Sequence, residues 1–138
     1  QTALDPAEQY TFTFTRGDGT ALTGTVDTLV PLAVTAPAAD ASVSRAADLA
    51  VNWTNPIADG LATVTVSGEY LQGIMEDVAD TGAYTVPAGT LVLDADAPTS
   101  SVQGWVTISR NRLGVMDPGL AGTVAVTTSA TVRFTSTE

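Results

Sequence analysis

The chain has 138 residues, a size that suits one domain with an adequate core. It contains no Cys, His or Lys, which excludes disulfides, thiolate and histidine chemistry, and lysine Schiff bases. The net charge of −10 argues against nucleic-acid binding, and no apolar run approaches the ~20 residues that span a bilayer.

The first predicted element is a hairpin. Tyr10, Phe12 and Phe14 alternate with threonines, a pattern that is typical of a half-buried strand over residues 8–15. A turn at residues 17–19 leads to a second strand over residues 20–30. We expect this hairpin, residues 1–30, to be an extension attached to a core formed by residues 31–138.

Short strands follow one another along the predicted core. Pro, Gly and Asp residues separate them at intervals of about 8–12 residues, a spacing typical of a β-sandwich. Two acidic stretches, residues 76–82 and 94–100, are predicted to be loops. The strands are predicted at residues 49–54, 61–67, 69–75, 83–86 and 91–93.

The last part of the chain predicts two longer strands. Every second residue between 102 and 108 is small or apolar: Val102, Gly104, Val106 and Ile108. This alternation turns Trp105 and Gln103 toward solvent. Residues 124–134 keep apolar side chains on one face, which predicts a single terminal strand. The expected fold class is an all-β antiparallel sandwich, in one domain spanning residues 1–138.

Residues 34–54 combine a strand, a proline, a loop of small residues and a second strand that ends in tryptophan. The residues that carry this pattern are Val34, Pro37, Val43, Leu49, Val51 and Trp53. The pattern resembles the N-terminal module of the Ser/Thr-rich cell-wall-anchored family, and its bacterial immunoglobulin-like or fibronectin-III-like counterparts on cell surfaces. Residues 80–87 and a later strand ending in Arg110 are also similar. The resemblance implies an immunoglobulin-like antiparallel β-sandwich, here with an N-terminal β-hairpin extension, and implies no catalytic residues.

The two tryptophans are predicted to differ in role. Trp53 shares a strand face with Val51 and is expected to fill the space between two sheets. Trp105 and Gln103, with Tyr70 as a further aromatic, are predicted to form a face for a ligand or partner. The face could stack carbohydrate or form a subunit interface. The alternative is that the register differs by one residue, or that the hairpin covers the ring.

Two acidic clusters are candidate Ca²⁺ sites, because carboxylate oxygens on loops suit this ion. One cluster holds Asp94 and Asp96, and the other holds Asp77 and Asp80 beside Glu76. Neither cluster has the full spacing of a known Ca²⁺ loop. The alternative is that these are solvated turn residues, in which case no cofactor is bound.

Three functions remain open from the sequence, and none is enzymatic, because a Ser nucleophile would lack His or Lys as its base. The first is a non-catalytic structural or adhesion module that is secreted or on the cell surface. The second is a self-assembling subunit of an extracellular fibre or layer, in which the strand with Tyr10, Phe12 and Phe14 adds to a neighbour's sheet edge. The third is a carbohydrate-binding module. The expected partners are other copies of the chain, surface proteins or glycans, and we expect a leader to have preceded Gln1.

Overall fold

The computed structural model describes residues 9–97 and 99–138, and in these residues every regular element is a β-strand. The all-β prediction is therefore confirmed. Within the described ranges there is no helix that could cross a membrane. The strands are β1 (Gln9–Thr15), β2 (Ala21–Asp27), β3 (Val34–Ala36), β4 (Ser42–Ser44), β5 (Leu49–Trp53), β6 (Leu61–Gly68), β7 (Leu71–Ala79), β8 (Ala83–Val86), β9 (Val92–Leu93), β10 (Val102–Leu113), β11 (Val115–Met116) and β12 (Ala125–Thr137).

The chain divides into two compact units. The first, which we call the hairpin unit, comprises Gln1–Pro31 and Arg110–Thr128. The second, the sandwich unit, comprises Leu32–Ser109 and Ser129–Glu138. Residues 110–128 lie in the range predicted to be core, yet they belong to the hairpin unit. Glu8 and the rest of residues 1–8, included in the predicted hairpin extension, lie outside the described residues.

The hairpin unit is built on a three-stranded sheet with the order β1-β2-β11. Strands β1 and β2 pair antiparallel with Phe12 opposite Gly24, as their alternating pattern and the turn at residues 17–19 predict. The alternation on β2 buries Leu22 and Val26, while β1 remains largely exposed. The core face of this sheet is therefore well covered at β2 and poorly covered at β1.

The sandwich unit contains one sheet of six strands, ordered β4-β12-β10-β6-β7-β9, and one of three strands, ordered β3-β5-β8. Side chains from both sheets join one buried cluster, which includes Trp53 of β5, Val64 of β6 and Phe134 of β12. Strand β4 pairs parallel with β12, whereas β5, β6 and β7 pair antiparallel with their neighbours. These layers confirm the predicted sandwich class.

Strict alternation explains why β10 fits the interior of this sandwich. Its residues from Val102 to Ile108 alternate between buried and more accessible positions. Gly104 lies on the inward side, where an added Cβ would come within 2.5 Å of Phe134 Cζ. The absence of a side chain at this position lets the Phe134 ring occupy the space above the strand.

The predicted acidic loop at residues 76–82 is wrong in its first half. Glu76 and Asp77 lie on β7, opposite Val64 and Thr63 of β6. Carboxylates are depleted in strands, but here both side chains are exposed, so the strand continues without burying a charge. Pairing with the strongly patterned β6 therefore overrides the local composition.

Candidate functional site

The outer face of the six-stranded sheet carries the exposed tryptophan. Trp105 lies on β10 between the buried residues Gly104 and Val106, and 37% of its surface is accessible. Gln103, two residues earlier, is exposed on the same face. The structure therefore places these two predicted site residues side by side, on the side of the strand that faces away from the core.

Two neighbouring strands supply polar groups on either side of the Trp105 ring. On β6, Ser67 is the direct partner of Trp105. On β12, the Thr131 hydroxyl lies 2.8 Å from the Thr107 hydroxyl of β10. If these two residues are direct partners of an antiparallel pair, the partner of Trp105 on β12 is Arg133. Trp105 therefore lies on a strand whose two neighbours both carry polar residues.

Arg133 is held in place by a carboxylate. Its Nη2 lies 2.6 Å from Asp40 Oδ1, and its Nε donates a 2.7 Å hydrogen bond to the same oxygen. Asp40 is in the loop between β3 and β4 and adopts a positive φ of 60°. Sequence reasoning did not identify this pair, although the alternation of Val132 and Phe134 inward would have turned Arg133 to the outer face.

The rest of this face is rich in hydroxyl groups. Thr63 and Thr65 of β6 lie opposite Ser109 and Thr107 of β10. On β7, Met75 pairs with Thr65 and is 72% exposed. We call the surface formed by Trp105, Gln103, Ser67, Arg133 and these hydroxyl residues the outer sheet face. It combines one large aromatic ring with many small hydrogen-bonding groups.

Tyr70, the third residue predicted for this face, is placed elsewhere. It lies in the turn between β6 and β7 and packs against the buried core cluster. Its backbone carbonyl accepts a 3.0 Å hydrogen bond from the Asp94 amide. The prediction that Tyr70 shares a surface with Trp105 is not supported, because the turn directs its side chain toward the core.

Asp80, a predicted Ca²⁺ ligand, is buried and holds protein groups instead. Its Oδ1 accepts a 2.7 Å hydrogen bond from the indole nitrogen of Trp53, and its Oδ2 accepts one of 3.0 Å from the Ile57 amide. Only 5% of Asp80 is accessible. A depression of about 510 Å³, lined by residues that include Pro56, Asp59 and Thr81, lies beside it. Asp80 therefore anchors the loop after β5 to the core tryptophan.

The two predicted Ca²⁺ clusters lie at opposite ends of β7. Asp77 pairs with Thr63 and accepts a 2.6 Å hydrogen bond from its hydroxyl. Asp94 and Asp96 follow β9, which pairs with β7 at Leu71, the other end of the strand. Across residues 9–97 and 99–138, no three acidic side chains come close enough to hold a metal ion together. Asp77 lies on β7 and Asp80 follows its end, so the two residues do not form one loop, and both carboxylates accept hydrogen bonds from protein groups.

The predicted assembly strand forms the edge of the hairpin unit. Tyr10 is half-buried, whereas Phe12 and Phe14 are 44% and 50% exposed. The two phenylalanines border an apolar groove of about 250 Å³, which is also lined by Gly24, Met116 and Val124. The strand was expected to be half-buried. It is more open because β1 lies at the edge of its sheet, where β2 is its only neighbouring strand within the described part of the chain.

The chain matches no protein-family model, and comparison with curated proteins and with solved structures found no match.

Proposed function

We propose that the chain is a non-catalytic structural or adhesion module, immunoglobulin-like in type, of a secreted or cell-surface protein. Two features of the sandwich unit support the immunoglobulin-like assignment. Its strands divide between two sheets that share one core, as in that class of sandwich. The consecutive strands β3 and β4 also belong to different sheets, so the start of the unit contributes to both layers.

The observation that carries the adhesive role is the accessible ring of Trp105 on the outer sheet face. A ring that is 37% exposed on a regular strand retains apolar area for a partner to cover. Hydroxyl groups of Ser67 and Thr107 surround it with small polar groups that can form hydrogen bonds. An aromatic residue in a polar surround is the usual composition of a binding hot spot.

Cell attachment tests this proposal directly. Beads coated with the full chain are incubated with intact cells of the producing organism, and retained beads are counted. We expect retention to fall at least about tenfold for Trp105→Ala, the effect of losing one anchor residue. Val115→Ala, which removes a 76% exposed side chain from the hairpin unit, is the matched control. Equal retention of the Trp105→Ala and control beads would contradict the proposal, as would labelling of the chain only in lysed cells.

Carbohydrate binding is a second candidate function, favoured by the polar groups that flank the Trp105 ring. Sugar rings present an apolar face that stacks on an aromatic ring, and hydroxyl groups that bond to polar side chains. The ion pair of Arg133 and Asp40 and the amide of Gln103 could supply those bonds. Electrophoresis through gels containing soluble polysaccharides, with Trp105→Ala as comparison, tests this function. Retardation of the natural chain alone would support it, and equal mobility in every gel would reject it.

A further inference from the structure

The edges of the three sheets differ sharply in length. Each sheet has two outer strands, and in the described part of the chain five of these six strands have only two to four residues: β3, β4, β8, β9 and β11. The sixth, β1, has seven. Short edges protect a protein against unwanted strand addition. Strands β7 and β12 also extend well beyond the short strands that flank them. Among the described residues, β1 is the longest outermost strand and has no shorter strand beside it.

Strand β1 also lacks the other devices that protect an edge. The segment Gln9–Thr15 contains no charged residue and no proline, although the whole chain carries a net charge of −10. Two copies that approach through β1 would therefore bring together uncharged strands.

We propose that two copies of the chain pair antiparallel through β1, related by a two-fold axis at Phe12, and form a closed dimer. This inference goes beyond the surface role proposed above and does not depend on it. It replaces the fibre that the sequence suggested with a closed assembly. The opposite edge of the hairpin sheet, β11, has two residues followed by Asp117 and Pro118, so it cannot accept a seven-residue strand. Strand β1 of the second copy can.

The sequence of β1 is self-complementary in this arrangement. With Phe12 opposite Phe12 of the second copy, Tyr10 lies opposite Phe14, and Thr11 lies opposite Thr13. Aromatic rings then meet aromatic rings on one face, and threonines meet threonines on the other. Both kinds of cross-strand pair stabilise a sheet.

The outward-pointing backbone N–H and C=O groups of β1 belong to the residues that this pairing requires. The Arg16 amide donates a 2.9 Å hydrogen bond to the Thr20 carbonyl, toward β2. In an antiparallel sheet, every second residue of a strand directs its backbone N–H and C=O groups to the same neighbouring strand. Phe14 and Phe12, like Arg16, therefore direct these groups to β2, and Thr11 and Thr13 direct theirs away from it. In the proposed register the outward groups belong to the Thr11–Thr13 pairs, which exchange hydrogen bonds. The aromatic residues fall in the non-bonded pairs, where side chains are closest.

The dimer would also complete the apolar face of the hairpin sheet. Phe12 and Phe14 lie on the same face as the buried residues Leu22 and Val26 of β2, but are about half exposed. A second aromatic strand beside β1 would cover the sides of both rings. The apolar groove that they border with Met116 would then continue across the two-fold axis.

Light scattering during size-exclusion chromatography of the full chain, from micromolar to millimolar concentration, tests the dimer. We expect a mass of twice 14.1 kDa at the higher concentrations. The double variant Thr11→Lys/Thr13→Lys places like charges opposite each other across the axis, and should weaken the dimer about tenfold or more. The variant Thr11→Lys/Thr13→Glu places opposite charges there and should restore it.

The controls separate register from net charge and from misfolding. Thr23→Lys adds one positive charge to β2, at the direct partner of Thr13, and should leave the dimer intact. The double Lys variant also brings the net charge closer to zero, so general repulsion would predict tighter association. Circular dichroism verifies that each variant is folded. A natural chain that is monomeric at every concentration, or that forms filaments, would overturn the closed dimer. Failure of the Lys/Glu variant to restore association would overturn the register.

Discussion

Trp53 and Asp80 are joined by a buried hydrogen bond of 2.7 Å between the indole nitrogen and one carboxylate oxygen. The second oxygen of Asp80 accepts the Ile57 amide, so one side chain connects strand β5, the loop that follows it and the turn after β7. The Trp53 amide also donates to the Gly82 carbonyl, two residues beyond Asp80. The Asp80 carboxylate therefore fixes this end of the sandwich, although the sequence predicted either a solvated turn residue or a metal ligand at this position.

Replacing Asp80 with Ala should lower the free energy of unfolding by about 2–4 kcal/mol. The change leaves the buried Trp53 indole N–H and the partly buried Ile57 amide without their acceptor, and each such loss costs about 1–3 kcal/mol when the donor is buried. Asp80→Asn, which keeps one acceptor oxygen, should lose less. Urea titration followed by tryptophan fluorescence measures the change, with Asp96→Ala, at an exposed turn position, as the control. An Asp80→Ala variant as stable as the control would show that the carboxylate is dispensable.

Gly104→Ala should destabilise the sandwich unit by about 1–3 kcal/mol, the usual cost of overpacking. The added methyl group would come within 2.5 Å of the Phe134 ring, which is completely buried and has little freedom to move. Gly17→Ala is the matched control, because an added Cβ there meets no atom within 4 Å. Denaturant midpoints of the two variants measure the difference. Equal midpoints would mean that Phe134 can shift without loss of packing.

Asp18 should titrate below its ordinary pKa of 3.8. The Thr20 amide donates a 2.9 Å hydrogen bond to Asp18 Oδ1, and together with a bond from the Thr20 hydroxyl it lowers the pKa of this carboxyl. A lowered folded pKa means that the turn gains stability above the unfolded pKa and loses it as pH falls through the folded pKa. Carboxyl chemical shifts recorded by NMR between pH 2 and pH 6 measure the titration. A midpoint at or above the ordinary value would contradict the hydrogen bond in solution.

Millimolar Ca²⁺ should leave the thermal unfolding midpoint unchanged, and so should a chelator. Both oxygens of Asp80 bind protein donors, and Asp77 accepts the Thr63 hydroxyl, so neither carboxylate is arranged for a metal. A bound ion at a hundred times its dissociation constant would add about 2.7 kcal/mol to stability, a shift that scanning calorimetry detects easily. A saturable rise in the midpoint with Ca²⁺, absent with Mg²⁺, would contradict this prediction.

Local pattern was sufficient for much of the strand assignment. The alternation around Trp53 and along β10 predicts which residues face the core, and the structure buries Val51, Trp53, Val106 and Ile108 accordingly. Side-chain direction on a strand follows from a two-residue period, which a short stretch of sequence already contains. The exposure of Trp105 could be predicted for the same reason.

Contacts between distant segments could not be predicted in this way. The partner of Asp80 is 27 positions earlier in the chain, and Arg133 reaches Asp40 over 93 positions. Tyr70 was assigned to a surface because a turn residue has no periodicity to indicate its direction. The strand at Glu76 and Asp77 was missed because its stability comes from pairing with β6 rather than from its own composition.

The all-β sandwich follows from the amino-acid pattern alone, because alternating apolar residues separated by turn residues have few other ways to bury their apolar side chains. The sequence also determined that chemistry requiring Cys, His or Lys is excluded. Which polar side chains are structural, and which strands form the sheet edges in the described residues, follow from the three-dimensional arrangement of the strands. Burial of Asp80 and the position of β1 at the end of its sheet both depend on which strands become neighbours. That choice is made by packing across the whole chain.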